Sequence, residues 1–455
     1  MSKVAAVVLC LSLAAVVHAQ IALTIRDYAG VDRRATPVRG GVPFGLKELA
    51  DCDRARLVTE DGAELPCSVR PLARWYDGSI KWLLVDTQVD VPAHGELRLS
   101  LLPGENPATG PKLKLTEQAD SIAVDTGPAR FVFSRRQFGL PAAAWADLNG
   151  DGVAETQVIG AGSEFTCEVE HEPPGPPQEE NWLRDAAGGQ RERFTAAPEG
   201  DYLAQVESAN DLHAVIKLSG WLVNPEGRRL LQYFIRAHAW AGRPDLGLVV
   251  TFVYAGNPKQ DFIRTLSLRL PWQTRATTWA LGAGQRQEGE LAPGDSVSLY
   301  EIGPEKTYHL APYDQDKTVY CSVVRNGQEI ASGQEAQGWA RLADARGALT
   351  VAVRNFWQMH PKQLQLDPGG VTVYLWPELG GKVLDLRRRS DEIDNVYHYD
   401  LSLWPYGGEG VGVTHQMLLH LGPAREDNAA ELSAGLDVPL WLQCEPDRYA
   451  RTLVF

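Results

Sequence analysis

Apolar and polar residues alternate with a period of two along most of the chain, as in Leu97-Arg98-Leu99-Ser100-Leu101, the signature of half-buried strands. Turn chemistry separates the runs. Leu57-Val58-Thr59 and Leu65-Pro66-Cys67-Ser68-Val69 flank Glu60-Asp61-Gly62, which predicts a β-hairpin, and Ile80 to Asp86 follows as a buried strand. His213 to Leu222 and Leu231 to Trp240 flank an Asn-Pro-Glu-Gly turn and predict a second, longer hairpin. Gly247 to Tyr254 and Phe262 to Leu270 continue the meander across a Gly-Asn-Pro turn. Helical periodicity is lacking until the last thirty or so residues, so the fold class is all-β: a small barrel followed by a large β-sandwich.

Breaks in this pattern set the expected domains. The Pro-, Gly- and Asn-rich stretch from Gly104 to Lys112 reads as a linker, which delimits a barrel domain at 20–112 and a sandwich at 113–424. Pro173 to Gly200 reads as one long loop. Residues 425–455 turn polar and Ala-rich, with a helix beginning near Pro446, and are expected to be a short helical stub.

Residues 1–19 carry one lysine, an apolar run from Val4 to Val17 and small residues before Gln20, the pattern of a signal peptide cleaved after Ala19. The expected location is secreted or periplasmic, with no membrane association after cleavage. Among 455 residues, 44 Lys+Arg face 58 Asp+Glu for a net charge of −14, which becomes −15 once Lys3 leaves with the leader. Such a surface repels nucleic acid, so any polyanionic ligand must meet a local basic cluster. Five cysteines follow the leader, without metal-ligand spacing, and Cys52 with Cys67 is a candidate bridge.

Three constellations carry candidate chemistry. Asp147, Asn149, Asp151 and Glu155 fall at the first, third, fifth and ninth positions of a loop with Gly152 at the sixth, a spacing suited to structural calcium or to a plain surface turn. Val158 at the twelfth position excludes an EF-hand. Arg236, His238 and Trp240 occupy alternate positions of one strand and share a face, aligning a cation, an imidazole and a stacking platform. Arg354, Trp357, Gln358, His360 and Lys362 are packed into nine residues, and His415 and the run Arg387-Arg388-Arg389 add further groups able to hold a carboxylate. No GxSxG or GxxxxGK[ST] signature is present in the sequence.

Gly40-Gly41-Val42-Pro43-Phe44-Gly45 and the long motif Arg70-Pro71-Leu72-Ala73-Arg74-Trp75-Tyr76-Asp77-Gly78-Ser79-Ile80-Lys81-Trp82-Leu83-Leu84-Val85-Asp86 resemble the exo-rhamnogalacturonan lyase family that includes the YetA-like bacterial proteins. Ala241 to Pro244, Asp261 to Arg264, Val353 to Lys362, Leu375 to Pro377, Leu384 to Arg387 and Thr414-His415 extend the resemblance along the chain. It implies a RIFT-type N-terminal β-barrel, a central β-sandwich and a C-terminal α/α toroid. The last would begin near Pro439, so the chain reads as lacking it. Asn355 and Gln416 stand where the family pattern leads one to expect acids.

The implied activity is β-elimination at galacturonosyl residues of rhamnogalacturonan-type pectin, an acidic polysaccharide, with no cofactor required. The chemistry needs a group that neutralises the uronate and a base for the C5 proton. Arg354 and Arg236 are the expected neutralisers and His360 or His238 the base. Trp357, Gln358, Lys362, Trp240, His415 and Arg387 are the expected substrate contacts. The alternatives are a non-catalytic saccharide-binding protein and a structural fragment of a larger lyase.

Overall fold

The computed structural model describes residues 20–105, 110–173, 183–196, 201–302, 320–387 and 408–455. The expected leader and Arg388-Arg389 lie outside these residues.

Two sheets form the N-terminal domain. One runs in the order Gln443–Cys444, Ile21–Arg26, Glu96–Pro103, Ala55–Thr59, Glu64–Leu65, and the other joins Arg33–Pro43, Ile80–Val91 and Cys67–Arg74. Alternation decides what faces inward: Ile21, Leu23 and Ile25 are buried beside Leu57, Leu99 and Leu101. The Asp61-Gly62 turn forms as expected, with Gly62 at φ +87°, a conformation glycine adopts without a Cβ clash. Cys52 and Cys67 do not bridge. Their thiols donate to the carbonyls of Arg54 (3.2 Å) and Ala55 (3.1 Å) instead.

The C-terminal residues complete this domain. Leu440, Leu442 and Cys444 join its core, Cys444 pairs with Leu23, and the helix Pro446–Thr452 packs nearby with Arg448 donating to the Pro43 carbonyl at 2.9 Å. Phe455 sets its ring edge-on to Trp82 at 5.8 Å.

The central domain is a sandwich with one continuous apolar core, on which a five-stranded antiparallel sheet from Lys114–Glu117 to Thr156–Ile159 also packs. Its first layer runs Tyr202–Ala209, His213–Val223, Arg229–Trp240, Asp245–Tyr254, Gly412–Pro423, Gly347–Val353, Trp339–Ala343, Thr278–Gly282. The second runs Arg191–Ala196, Glu164–Glu170, Phe262–Pro271, Gly370–Trp376, Lys362–Asp367, Val297–Ile302, Tyr320–Arg325, Gln328–Gly333. The stretch read as one loop from Pro173 to Gly200 contains the strands Leu183–Asp185 and Arg191–Ala196. Arg191 to Thr195 pairs with Thr166 to Glu170, and Thr195-Ala196 also pairs with Leu222-Val223 of the first layer; Phe194 is its one buried side chain, so the strand gives little apolar signal. The helix Ala429–Asp437 lies against the outer side of the first layer, burying Ala429 with Trp339 and Ala352.

Candidate functional site

Register fixes what the outer face of the first layer displays. Ala214, Ile216, Leu218, Ile235, Ala237, Leu248 and Val250 enter the core, so the intervening residues point outward. One row across the strands therefore reads Lys217, Arg236, Val249, Gln416, and Arg354 adjoins Gln416 through its backbone N–H (2.9 Å) and its Nη1 (2.7 Å to Oε1). The next row reads Val215, His238, Gly247, Leu418, and His213 pairs with Trp240 beyond it.

The expected alignment of Arg236, His238 and Trp240 on one face is present, and it closes onto the N-terminal domain. A cavity of about 140 Å³ lies at this junction, lined by Arg39, Asp86, His213, His238 and Trp240 among others. His213 Nε2 and His238 Nδ1 are 3.0 Å apart, and both rings lie nearly parallel to Trp240. Gly247 makes room: a Cβ there would stand 2.6 Å from the indole. Asp86 Oδ1 is 2.8 Å from Arg39 Nε and 3.9 Å from His213 Nδ1, too long for a hydrogen bond to the imidazole but close enough to act on it electrostatically. Asn210 donates to the other carboxylate oxygen at 3.1 Å. Burial raises the Asp86 carboxyl above its ordinary value against the pull of Arg39. Burial, with Arg39 nearby, pushes His238 down to about 4, and burial beside His238 pushes His213 down to about 3. Both imidazoles are neutral at neutral pH. If Nδ1–H of His238 donates to His213, its Nε2 keeps a lone pair.

The second expected cluster is arranged differently. Residues 354–360 are a turn between the layers, and its polar groups are largely used within it. His360 Nδ1 lies 3.1 Å from the Trp357 carbonyl, and the Gln358 amide, suitably oriented, accepts from the Trp357 indole at 3.0 Å. Asn355 has φ +53° and its N–H donates to Asp437 at 2.7 Å. Burial raises the Asp437 carboxyl although Arg354 is near. Gln416, in place of the expected acid, binds Arg354 without neutralising it.

Lys362 is buried and donates to the carbonyls of Met359, Pro361 and Leu375 at 2.5, 3.2 and 3.1 Å. Burial pulls its pKa down to about 7, yet three acceptors match the three N–H bonds of an ammonium, leaving none for a ligand. His415 faces the core, stacked on Phe252, and burial takes it down to about 3. Arg387 grips Asp385 through Nε (3.0 Å) and Nη2 (2.7 Å) and lies over Phe262.

Arg236 and Arg354 do not converge. Three strand spacings, about 14 Å, separate their backbones, and Arg236 turns away to pair with Glu207 at 2.6 and 2.8 Å. At the expected calcium loop, oxygens of Asp147, Asp151 and Glu155 lie within 4.8 Å of one another. The Asp147 carboxylate already accepts the N–H groups of Gly150 (2.6 Å), Asp151 (3.2 Å) and Gly152 (2.6 Å), which hold it below its ordinary value despite burial. The Asn149 amide bridges Asp151 and Glu155, as a self-contained turn would.

Arg39, Asp86, His213 and Gly247 escaped the sequence reading. Asp86 ends the long motif at Arg70 to Asp86 and His213 opens a recognised strand, but only the packing of the two domains brings them together.

Residues 113–279 and 325–412 match the PcRGLX-like protein central beta sandwich domain, and residues 30–100 the PcRGLX-like N-terminal RIFT barrel domain. The chain belongs to this family of rhamnogalacturonan lyase-related proteins. It is 23% identical over 485 aligned positions to the uncharacterized protein YetA of Bacillus subtilis (strain 168), covering 93% of this chain and 52% of that protein. The chain thus spans about half the length of this curated relative. A glycosyl hydrolase family 38 protein from Enterococcus faecalis superposes with TM-score 0.49 and 11% identity, covering 94% of this chain and 47% of the other. An alpha-mannosidase from Enterococcus faecalis V583 gives 0.43 and 12%, covering 94% and 46%.

Proposed function

We propose that the protein is an exported polysaccharide lyase that engages rhamnogalacturonan-type pectin at the junction of its two domains and cleaves it by β-elimination at a galacturonosyl residue. The observation that carries this reading is the neutral His238, 3.0 Å from His213 and stacked beside Trp240, in the wall of a cleft that Arg39 and Asp86 also line. The C5 proton of a uronate is too weakly acidic to leave until its carboxylate is neutralised. Arg39 is the cation at hand. His238 Nε2 takes the C5 proton, the C5 electron pair forms the C4–C5 double bond, and the C4–O4 bond breaks. The proton returns from His238 to the departing O4. His213, 3.0 Å from Nδ1, orients the imidazole, and Trp240 offers a face to the sugar ring. Arg236, held by Glu207, has no contact with the sugar in this scheme; Arg354, held by the uncharged Gln416 across the sheet, keeps its charge for a neighbouring uronate of a longer chain. No cofactor enters this scheme; calcium at Asp147, Asn149, Asp151 and Glu155 would serve stability.

The test is absorbance of the unsaturated uronate after incubation with rhamnogalacturonan I. His238→Ala should abolish the gain. Retention of the wild type on a pectin gel without any absorbance gain would instead favour a saccharide-binding protein.

A further inference from the structure

The N-terminal domain carries a second groove, away from the junction and unused in the reaction above. Leu440, Leu442 and Cys444 enter the barrel core, which turns Trp441 and Gln443 outward; Ile21, Leu23 and Ile25 do the same for Thr24 and Arg26. Register places Thr24 between Gln443 and Arg98, and Arg26 beside Glu96. Arg26, Arg98, Glu96, Trp441 and Tyr28 line an open groove of about 490 Å³, within the size range of small-ligand clefts.

Two observations point to a ligand. First, Trp441 and Tyr28 are 59% and 63% exposed. Solitary exposed aromatics are ordinary, but two lining one groove present stacking faces, and the burial of Leu440 and Leu442 fixes the backbone on either side of the indole. Second, Glu96 joins both guanidiniums: Arg98 Nε donates to it at 2.8 Å and Arg26 pairs with its other oxygen. Arg26 and Arg98 remain 50% and 64% exposed, so fork N–H groups are left over for a neutral acceptor.

The charge of the groove selects the ligand. Two guanidiniums face Glu96, Glu60 at 3.6 Å from Arg98, and Glu445, so no positive charge is spare for a carboxylate. We propose that this groove binds a neutral sugar unit of a polysaccharide, its ring on Trp441 or Tyr28 and its hydroxyls on the Arg26–Glu96–Arg98 array. The junction and the groove would then read different parts of a branched glycan, acidic residues at one and neutral ones at the other. The proposal stands on the groove alone and does not need the lyase reading to hold.

Affinity electrophoresis through gels containing neutral galactan, arabinan, xylan or mannan tests it, with polygalacturonate as the acidic comparison. At least one neutral polysaccharide should retard the wild-type protein, and Trp441→Ala together with Tyr28→Ala should weaken that retardation at least fivefold with an unchanged melting temperature. His238→Ala should leave it intact. Absence of retardation in every neutral gel, equal retardation of the double variant, or retardation by polygalacturonate that the double variant removes would each overturn the proposal.

Discussion

Two segments of this protein carry nearly the same set of side chains and use them in opposite ways. The strand Arg229–Trp240 and the turn after Val353 each bring an arginine, a histidine and a tryptophan within a few residues. On the strand, the backbone's hydrogen bonds are met by its neighbours, so the side chains at alternate positions are free to face a cleft. In the turn, backbone carbonyls have no ladder to join, and side chains close back on them: His360 on Trp357, and Lys362, the first residue of the next strand, on Met359 and Pro361. A dense polar motif in a turn is thus as readily structural as functional, whereas a sparse one at strand spacing is presented.

The sharpest way to break this contrast is to exchange the histidines. His238→Ala should lower the rate of unsaturated uronate formation by about 10²- to 10⁴-fold, the range for loss of a positioned base, while His360→Ala should leave it nearly unchanged; equal losses would erase the distinction. Arg39→Ala follows, with an expected loss on the order of 10²- to 10³-fold if it neutralises the uronate. On the other side of the comparison, Lys362→Met should lower unfolding free energy in a denaturant titration by about 3 kcal/mol or more, because it leaves buried carbonyls unpaired. The folded variant should keep its rate.

The pH responses differ in sign. His213 and His238 sit at about 3 and about 4 in the folded protein, against about 6.5 in an unfolded chain. Between those limits the unfolded state binds more protons, so their contribution to stability is lost as pH falls from about 6.5 toward 4. His420 behaves oppositely. Asp245, 2.6 Å away, and Glu426 raise it to about 9 against the pull of burial, so its contribution is complete below about 6.5 and lost as pH rises through 9. Melting temperature across pH 4 to 10 should show both flanks, and His420→Gln should flatten only the alkaline one. The smallest effect is expected at Gly247→Ala, which tilts Trp240 and should raise KM a few-fold with little change in kcat.

Strand periodicity made the all-β class, the Asp61-Gly62 turn, the long hairpin from His213 to Trp240 and the shared face of Arg236, His238 and Trp240 legible, because each depends on residues close in sequence. The cleft was not. Asp86 and Arg39 come from one domain and His213 from the other, and no local pattern records that they meet. The inward direction of His415 was also hidden: Val413, His415 and Met417 share a face, but an imidazole gives no apolar signal of burial. The strand Arg191–Ala196 was hidden differently, because three successive charges, Arg191, Glu192 and Arg193, leave no alternation to mark a paired backbone.

The return of the C-terminal residues to the barrel sets the order in which the domains can be finished. Arg33, whose guanidinium pairs with Asp27, also donates to the carbonyl of Val438, 405 positions later. During synthesis the N-terminal sheet emerges first but lacks Leu440, Leu442 and Cys444 until the whole sandwich has left the ribosome. The first domain made is therefore the last one sealed, and a sandwich that stalls in folding leaves an open apolar seam on the barrel for a chaperone or a second chain to find.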